Sequence, residues 1–418
     1  MTLVEQITSL SLMARRLVAM RFLAHVGMLA SYFIGILGTL TYSLGGDALS
    51  TTFSVGLINL AIVVGNFAGG ALLDAWGPRR HFALSVAFTC ASAVLFQCFS
   101  DTVTGILACS AAFGFAWGVE DIVARSYPAY VTDDAEQLAC INPALSAVTN
   151  LTVVIGPLVG SAITSVFSTK AVFLFGAACA LLGLVPAAGF RPLRAPLEGE
   201  EAECSDSSLS AGFAAVAASS SLRLLLAIGF LAFFGYGAFD PLESLYYRDV
   251  LDVGVEWMGW LSSAAGVGAI AGSVALMRLP ARFVNMRSLL WALFGMGVGC
   301  LVYIGTSSVA VALVGQVMLG CAFGVIGPLQ TTLVQMHAPL SALGRVSAVM
   351  GFGHNAAGVV PLLMAPWLAG RLGVQETLVL ASALVAASSL AGMVVFRKRV
   401  DRAVEEERLL GTDQGSRR

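Results

Sequence analysis

The chain has 418 residues, of which 57% are hydrophobic and only 11% charged, with a formal net charge of -2. A soluble domain carries about 25% charged residues, so this composition excludes an ordinary soluble globular protein, while the near-neutral charge says little about partners. Apolar runs recur along the whole length, each about long enough to cross a ~30 Å hydrocarbon core as a helix. The 45 glycines suit closely packed membrane helices. Eight cysteines form no CxxC pair and mostly sit inside apolar runs, so they read as small apolar fillers rather than disulfides or metal ligands.

The first 14 residues lack an apolar core followed by a cleavage site, so the first span is expected to be a retained signal anchor. Twelve spans follow, at about 17–43, 51–73, 82–99, 104–126, 140–167, 171–190, 223–246, 257–277, 288–306, 308–331, 343–369 and 373–397. With the N-terminus in the cytoplasm, 19 of the 23 Lys and Arg fall on the cytoplasmic side and three (Lys170, Arg248, Arg371) outside. That bias fits the positive-inside rule for an even number of spans with both termini cytoplasmic. The stretch from Arg191 to about Ser221, containing RPLRAPLEGEEAECSDSS, is charged and rich in Pro and Ser. It reads as a flexible cytoplasmic linker. The expected organisation is a six-helix bundle at 1-190, a linker at 191-222, a second six-helix bundle at 223-397 and a cytoplasmic tail at 398-418. This is an all-α integral membrane architecture.

In span 1, Arg21 and His25 lie one turn apart on one face. Arg21 is expected to snorkel to the cytoplasmic interface, and His25 is a group that can titrate. Between spans 2 and 3 stands GALLDAWGPRR, residues 70 to 80. It resembles the signature loop of the major facilitator superfamily, a Gly-x-Leu-x-Asp-x-x-Gly pattern followed by basic residues. Gly70, Leu72, Asp74, Gly77, Arg79 and Arg80 match, and Ala75 stands where the family often has a basic residue. Gly70 would permit close helix contact and Gly77 a tight turn. Asp74 would accept hydrogen bonds from a neighbouring helix N-terminus. The resemblance covers the whole chain. It implies two bundles around a midplane cavity, alternating access, a cavity lined by spans 1, 4, 7 and 10, and a loop that latches the cytoplasmic side. The equivalent loop between spans 8 and 9, GSVALMRLPARFVNMR, has Leu276 in place of the acid, so the latch is expected to be one-sided.

Span 4 ends in GFAWGVEDIVAR. An ionised side chain in the membrane core costs at least ~2.5–3.5 kcal/mol, so embedded acids are functional candidates. Asp121 and Arg125 are four apart and can pair on one helix face, and Asp121 could equally pair with Arg79 or Arg80. Glu120 is rotated by roughly 100° from Asp121 and is the leading proton-site candidate of this span. Drug/proton antiporters of the family commonly carry an Arg in span 4. Here Ser110 falls about where it would stand. Span 5 carries IGPLVGS, whose Gly156, Pro157 and Gly160 resemble an antiporter-associated Gly-Pro-x-x-Gly-Gly element, with Ser161 in place of the last Gly. Pro kinks the helix and the glycines allow close packing. The order ARSYPAYV, INPAL, IGPLVG, together with DPLESLYYRDVL in span 7, resembles the branch of macrolide-efflux and enterobactin-exporter-type proteins.

Span 7 brings Asp240, before Pro241, and Glu243 three residues on, both able to face the cavity. The alternative for both is a solvated helix end. The second half also repeats the first. GFAWGV (114–119) matches GCAFGV (320–325), and SAV recurs at 146–148 and 347–349. In the second copy Ile326 and Gly327 replace Glu120 and Asp121. Asn59, Asn66, Asn150, Gln316 and Gln330 are expected to form interhelical hydrogen bonds, Gln316 from a cavity helix, and His354 and Asn355 are expected as polar packing. Aromatics on the presumed cavity helices, Trp117 and Tyr236 among them, could line an apolar pocket with few polar anchors. An acidic, aromatic cavity favours neutral or cationic amphipathic compounds.

No nucleotide-binding loop, zinc spacing or Ser/His/Asp arrangement stands out, so neither an enzyme nor an ATP-driven pump is expected. Three readings follow. The first is a proton-coupled exporter of small amphipathic compounds, such as drugs or secondary metabolites. The second is a metabolite symporter or facilitator on the same fold, and the third a transport-inactive sensor or scaffold. The expected setting is a bacterial plasma membrane, as a multi-pass monomer with no cofactor, metal or nucleic-acid partner.

Overall fold

The computed structural model describes residues 10–132, 135–192, 209–338 and 343–415, and every regular element among them is helical. By their contacts the residues form two compact units, Met1–Glu201 with Asp252–Ser263, and Ala202–Leu251 with Ala264–Arg418.

In the first unit, α1 (Leu12–Ala30) starts at Ser11, whose Oγ accepts from the Ala14 amide at 3.2 Å. It runs on into wider π-type turns over Ser31–Ser43. The resulting span Leu12–Ser43 is 89% buried, whereas the other spans are 28–61% buried. α2 (Ala48–Phe99) opens with a reciprocal capping box. Asp47 Oδ1 accepts from the Ser50 amide and Ser50 Oγ from the Asp47 amide, both at 2.9 Å. It is two spans joined end to end, because Gly77 sits at φ 72 and breaks the helix just before Pro78. Only glycine adopts that backbone readily. The turn is pinned by Tyr127, whose hydroxyl donates to the Pro78 carbonyl at 2.7 Å and lies 2.8 Å from His81 Nδ1. Burial pushes the Tyr127 phenol well above its ordinary pKa, so it remains a donor.

The unit continues with α3 (Val103–Ser126), α4 (Pro128–Val131), α5 (Ala135–Thr164), α6 (Thr169–Leu182) and α7 (Leu184–Ala188). Gly156 and Gly160 of α5 lie against α1, where a methyl at Gly156 would sit 2.8 Å from Leu29 Cβ and one at Gly160 2.8 Å from Ile34 Cγ1. The expected close packing is therefore present. Ser161, the departure from the family element, accepts from the Gly259 amide at 3.0 Å and ties the Asp252–Ser263 segment to this unit.

The second unit holds α8 (Leu209–Ala218), α9 (Ser220–Tyr236), α10 (Phe239–Asp249), most of α11 (Glu256–Arg278), α12 (Met286–Ile304), α13 (Val309–His337), α14 (Leu343–Leu372), α15 (Val374–Val395) and α16 (Arg397–Gly415). Nine helices among the described residues are long and apolar enough to cross a membrane. The pair Gly212–Ala218 and Ser220–Leu231, bent by 109°, is a tenth candidate if it counts as one, and α2 is counted once among the nine although it holds two spans. Span 7 is broken: α9 ends at Gly237 and α10 restarts at Phe239, which leaves Asp240 in a first helical turn. The methylene of Gly237 faces Gly358 of α14, and a methyl there would lie 2.6 Å from the Gly358 carbonyl.

Two segments read as connectors are structured. The apolar LSAGFAAVAA inside the expected linker forms α8, while 193–208 of that linker lie outside the described residues. The expected tail forms α16, which docks through Val400, Ala403 and Glu407. These positions share one helix face. Glu407 Oε2 accepts from the Met286 amide at 3.0 Å, satisfying a free donor at the start of α12, and its Oε1 lies 3.0 Å from His337 Nε2.

The internal repeat is visible as a backbone seam. Gly65 and Gly69 of α2 face α3, while Gly114 and Gly118 of α3 face α2, close enough that a methyl at Gly118 would collide with the Ile62 carbonyl. In the second unit Gly268 and Gly272 of α11 and Gly320 and Gly324 of α13 repeat the arrangement. The seam glycine is thus Gly69. Gly70, expected to make the close contact, points into open space because it is rotated by one position around the helix. Gly118→Leu is expected to destabilise the fold by at least about 1–3 kcal/mol, the cost of forcing atoms into a packed core. Gly327→Leu, where no atom lies within 4 Å, should cost close to nothing. Thermal unfolding of both variants in detergent checks this, and equal shifts would contradict the seam.

Candidate functional site

Each unit encloses a polar cluster in otherwise apolar helices. In the first, Arg21 of α1 reaches α3 and α5. Its Nη1 donates to Glu120 Oε2 at 2.7 Å, its Nη2 to Asp121 Oδ1 at 3.1 Å and its Nε to Thr149 Oγ1 at 3.2 Å. Arg21 is 2% exposed and Glu120 1%. Arg21 therefore does not snorkel. It spends its planar fork on two carboxylates from adjacent positions, a geometry that an ammonium could not match. Asp121 also accepts from Arg125 Nε at 2.7 Å, the expected i,i+4 pair. Arg79 donates instead to the Ala188 carbonyl at 3.2 Å, and Arg80 is exposed.

The cluster carries two guanidiniums and two carboxylates, so with an uncharged His25 its formal charge cancels. His25 lies one turn above Arg21, 4% exposed, with Nδ1 3.4 Å from Glu120 Oε2. Two buried atoms here, Glu120 Oε1 and His25 Nδ1, have no hydrogen-bond partner among the described residues. A buried polar atom left unpaired costs about 1–3 kcal/mol, so such atoms call for a functional explanation. Trp117 closes the cluster from one side. Its ring packs edge-on against His25, Tyr32 and Phe113, with centroids 6.0, 5.5 and 5.8 Å away.

In the second unit, Glu243 of α10 accepts from Tyr303 Oη at 2.7 Å and from Gln316 Nε2 at 3.2 Å. Tyr247 completes the ring, 2.7 Å from Tyr303 Oη and 3.3 Å from Gln316 Nε2. Tyr246 anchors the wall by donating to the carbonyls of Tyr303 and Thr306 at 2.8 and 2.7 Å. This carboxylate is solvated by neutral donors, with no ion pair among the described residues. Asp240 is half-buried one turn away and outside the ring.

The sequence assigns Glu120, His25 and Trp117 to the proton or cavity group and Asp121 and Arg125 to the latch, whereas the structure brings all five into one cluster. It also joins Glu243 to Gln316. Sequence reasoning missed Arg21 as the counter-ion of the acids, Thr149, and the tyrosines at 247 and 303. Asp74 is exposed and makes no hydrogen bond or ion pair among the described residues, so the expected acceptor role at a helix N-terminus is not realised. Of the amides expected to bridge helices, Gln316 does so, whereas Asn59 and Asn150 are exposed. The side chains of Tyr236, His354 and Asn355 lie outside the described residues. No group of His, Cys, Asp and Glu among the described residues is arranged to hold a metal ion.

Repeated apolar helices in two units, a glycine seam inside each and a charged cluster buried in one define a multi-pass membrane protein with internal polar sites. Residues 18–362 and 225–410 match the Major Facilitator Superfamily, and the chain belongs to that family of membrane transporters. It is similar to the multidrug efflux pump Tap of Mycolicibacterium fortuitum, 25% identical over 345 residues that cover 79% of this chain and 83% of the pump. The Tap protein of Mycobacterium tuberculosis is 26% identical over 348 residues, covering 79% and 81%. Among solved structures, the nucleoside transporter NupG aligns with a TM-score of 0.70 at 12% identity, over 92% of this chain and 100% of that one. A bacterial homologue of the iron transporter ferroportin, in an inward-facing state, gives 0.64 at 15% identity, over 92% and 98%. At these identities the structures speak for the fold alone.

Proposed function

We propose that this transporter exports small amphipathic compounds, neutral or cationic, in exchange for protons, by alternating access in a bacterial plasma membrane. In this reading twelve spans place both termini in the cytoplasm. The names of its relatives support efflux. The observation that carries proton exchange is the buried Glu120, held by Arg21 on one oxygen and without a hydrogen bond on the other, with His25 Nδ1 3.4 Å from the oxygen that Arg21 holds.

A proton arriving on Glu120 removes one of the two charges that hold Arg21. The guanidinium then rests on Asp121 and Thr149, and the tie between α1 and α3 weakens. His25, whose Nδ1 lies 3.4 Å from Glu120 Oε2, passes the proton in or takes it away. An embedded carboxylate whose counter-ion has a second partner is a switch with two arrangements, which is what coupling requires. Glu243 and Asp240 supply negative charge in the other unit, where Tyr303, Tyr247 and Gln316 set its direction. Their role is to meet the cationic end of a substrate, or to carry a second proton site. Gly77, Arg79 and Arg80 serve the cytoplasmic turn, together with Gly70 and Asp74 as its exposed face.

Inverted membrane vesicles test the direction. With an acidified lumen, a fluorescent lipophilic cation is expected to accumulate inside when the chain is present and to leave when a protonophore is added. Loss of substrate from preloaded vesicles under the same gradient would instead indicate uptake by symport. No gradient-dependent movement of any tested amphipath would remove the exporter reading.

A further inference from the structure

The second unit carries an apolar groove that neither polar cluster touches. It holds about 180 Å³ and lies between α9, α12 and α15. Leu224, Ile228, Leu290 and Val385 form a buried floor, while Val395 and Phe396 form an exposed rim. Small-molecule sites usually offer ~300–1,000 Å³ and a few placed polar groups. This groove is smaller, and its two hydroxyls are already spent: Ser388 donates to the Val385 carbonyl at 3.0 Å and Ser389 to that of Ala386 at 2.8 Å. Nothing inside would orient a polar ligand, so the shape and chemistry suit a hydrocarbon chain.

One end of the groove is cationic. The Arg399 guanidinium lies over the Phe396 ring, 5.7 Å from its centroid. Arg397 and Lys398 stand between them in the chain, both exposed. Arg223 immediately precedes Leu224, and Arg287 lies one turn before Leu290. Against these five cations stand Asp401, paired with Arg287 and 3.8 Å from Arg397 Nε, and Glu406, which accepts from Ser221 Oγ at 3.0 Å two residues before Arg223. The docking of α16 through the buried Glu407 holds this basic start of the helix at the mouth of the groove.

We propose that the groove binds one acyl chain of an anionic phospholipid, with its phosphate among Arg397, Lys398 and Arg399. Bilayer chains are as apolar as the groove, so hydrocarbon alone gives no preference for residence there. The selectivity comes from the headgroup charge. The site rests on the membrane-spanning character of the family and is independent of the proton-exchange reading.

The test is native mass spectrometry of the full chain in detergent with added phosphatidylglycerol or phosphatidylcholine. The wild type should retain phosphatidylglycerol preferentially. The variant R397Q/K398Q/R399Q should lose that preference by roughly 10- to 100-fold. Gly392→Leu, which adds bulk at a position where an added Cβ would lie 3.3 Å from Leu290 Cδ2, should lose retention of both lipids. Equal retention of the two lipids by the wild type, or unchanged preference in the triple variant, would overturn the proposal. Should either variant fail to fold, wild-type protein with phosphatidylglycerol bearing a photoreactive acyl chain decides the matter. Labelling concentrated on peptides containing Leu290 and Val395 supports the site, and labelling spread evenly over the lipid-facing helices refutes it.

Discussion

Glu120→Gln is expected to abolish transport driven by a pH gradient while leaving the protein folded and substrate exchange without a gradient intact. The amide has nearly the shape of the carboxylate, and its Oε1 can still accept from Arg21. What it lacks is a second charge state. Arg21 retains Asp121 and Thr149 as partners, so the loss of one charge is absorbed within the cluster. Proteoliposomes separate the two functions, because counterflow needs only alternating access whereas concentrative movement needs the proton. Gradient-driven accumulation at the wild-type level in this variant would remove Glu120 from the coupling path.

Arg21→Met is expected to act on the fold itself. It leaves Glu120 buried at 1% exposure without a counter-ion, and removing one partner of a buried pair costs about 3–5 kcal/mol. Asp121 suffers less because Arg125 stays within 2.7 Å. The double variant Arg21→Met/Glu120→Gln should therefore recover most of the lost stability. Arg21→Lys should fall between, since an ammonium cannot hold both acids and Thr149 in one plane. Melting temperatures and the yield of monodisperse protein in detergent report these differences. A single Arg21→Met variant as stable as the wild type would show that Glu120 is not ionised against Arg21.

Helix positions were largely legible in the sequence because apolar length and turn residues encode them locally. The starts expected for spans 4, 8 and 12 fall within a residue or two of Val103, Glu256 and Val374. What periodicity does not encode is the rotation of one helix against another. Arg21 sits near the end of a span, and depth alone suggested snorkelling. The signal that could have placed it was charge balance: two embedded acids in span 4 require a cation, and span 1 offered one on the face of His25. Tyr303 and Glu243 are 60 residues apart, and nothing local links them. Gly70 matched a family pattern, yet the adjacent Gly69 makes the contact, a one-residue difference equivalent to about 100° of rotation. The basic and acidic RKRVDRAVEEERLL falls in what reads as a cytoplasmic tail. Its small and apolar positions at 400 and 403, followed by a buried acid at 407, are the helical spacing that reveals docking.

The glycine seams carry a mechanical implication. Where α2 meets α3, and again where α11 meets α13, main chain lies directly on main chain, with no rotamers available to repack. Such a pair has one relative position and moves as a rigid plate. Any conformational cycle must then spend its motion elsewhere. The candidates are joints with loosened backbone, the wide turns at the far end of α1 and the gap at Gly237–Ala238, each beside one of the two carboxylate clusters. The duplicated seams are thus the stiff part, and the two loosened joints are the places where the repeat is not followed.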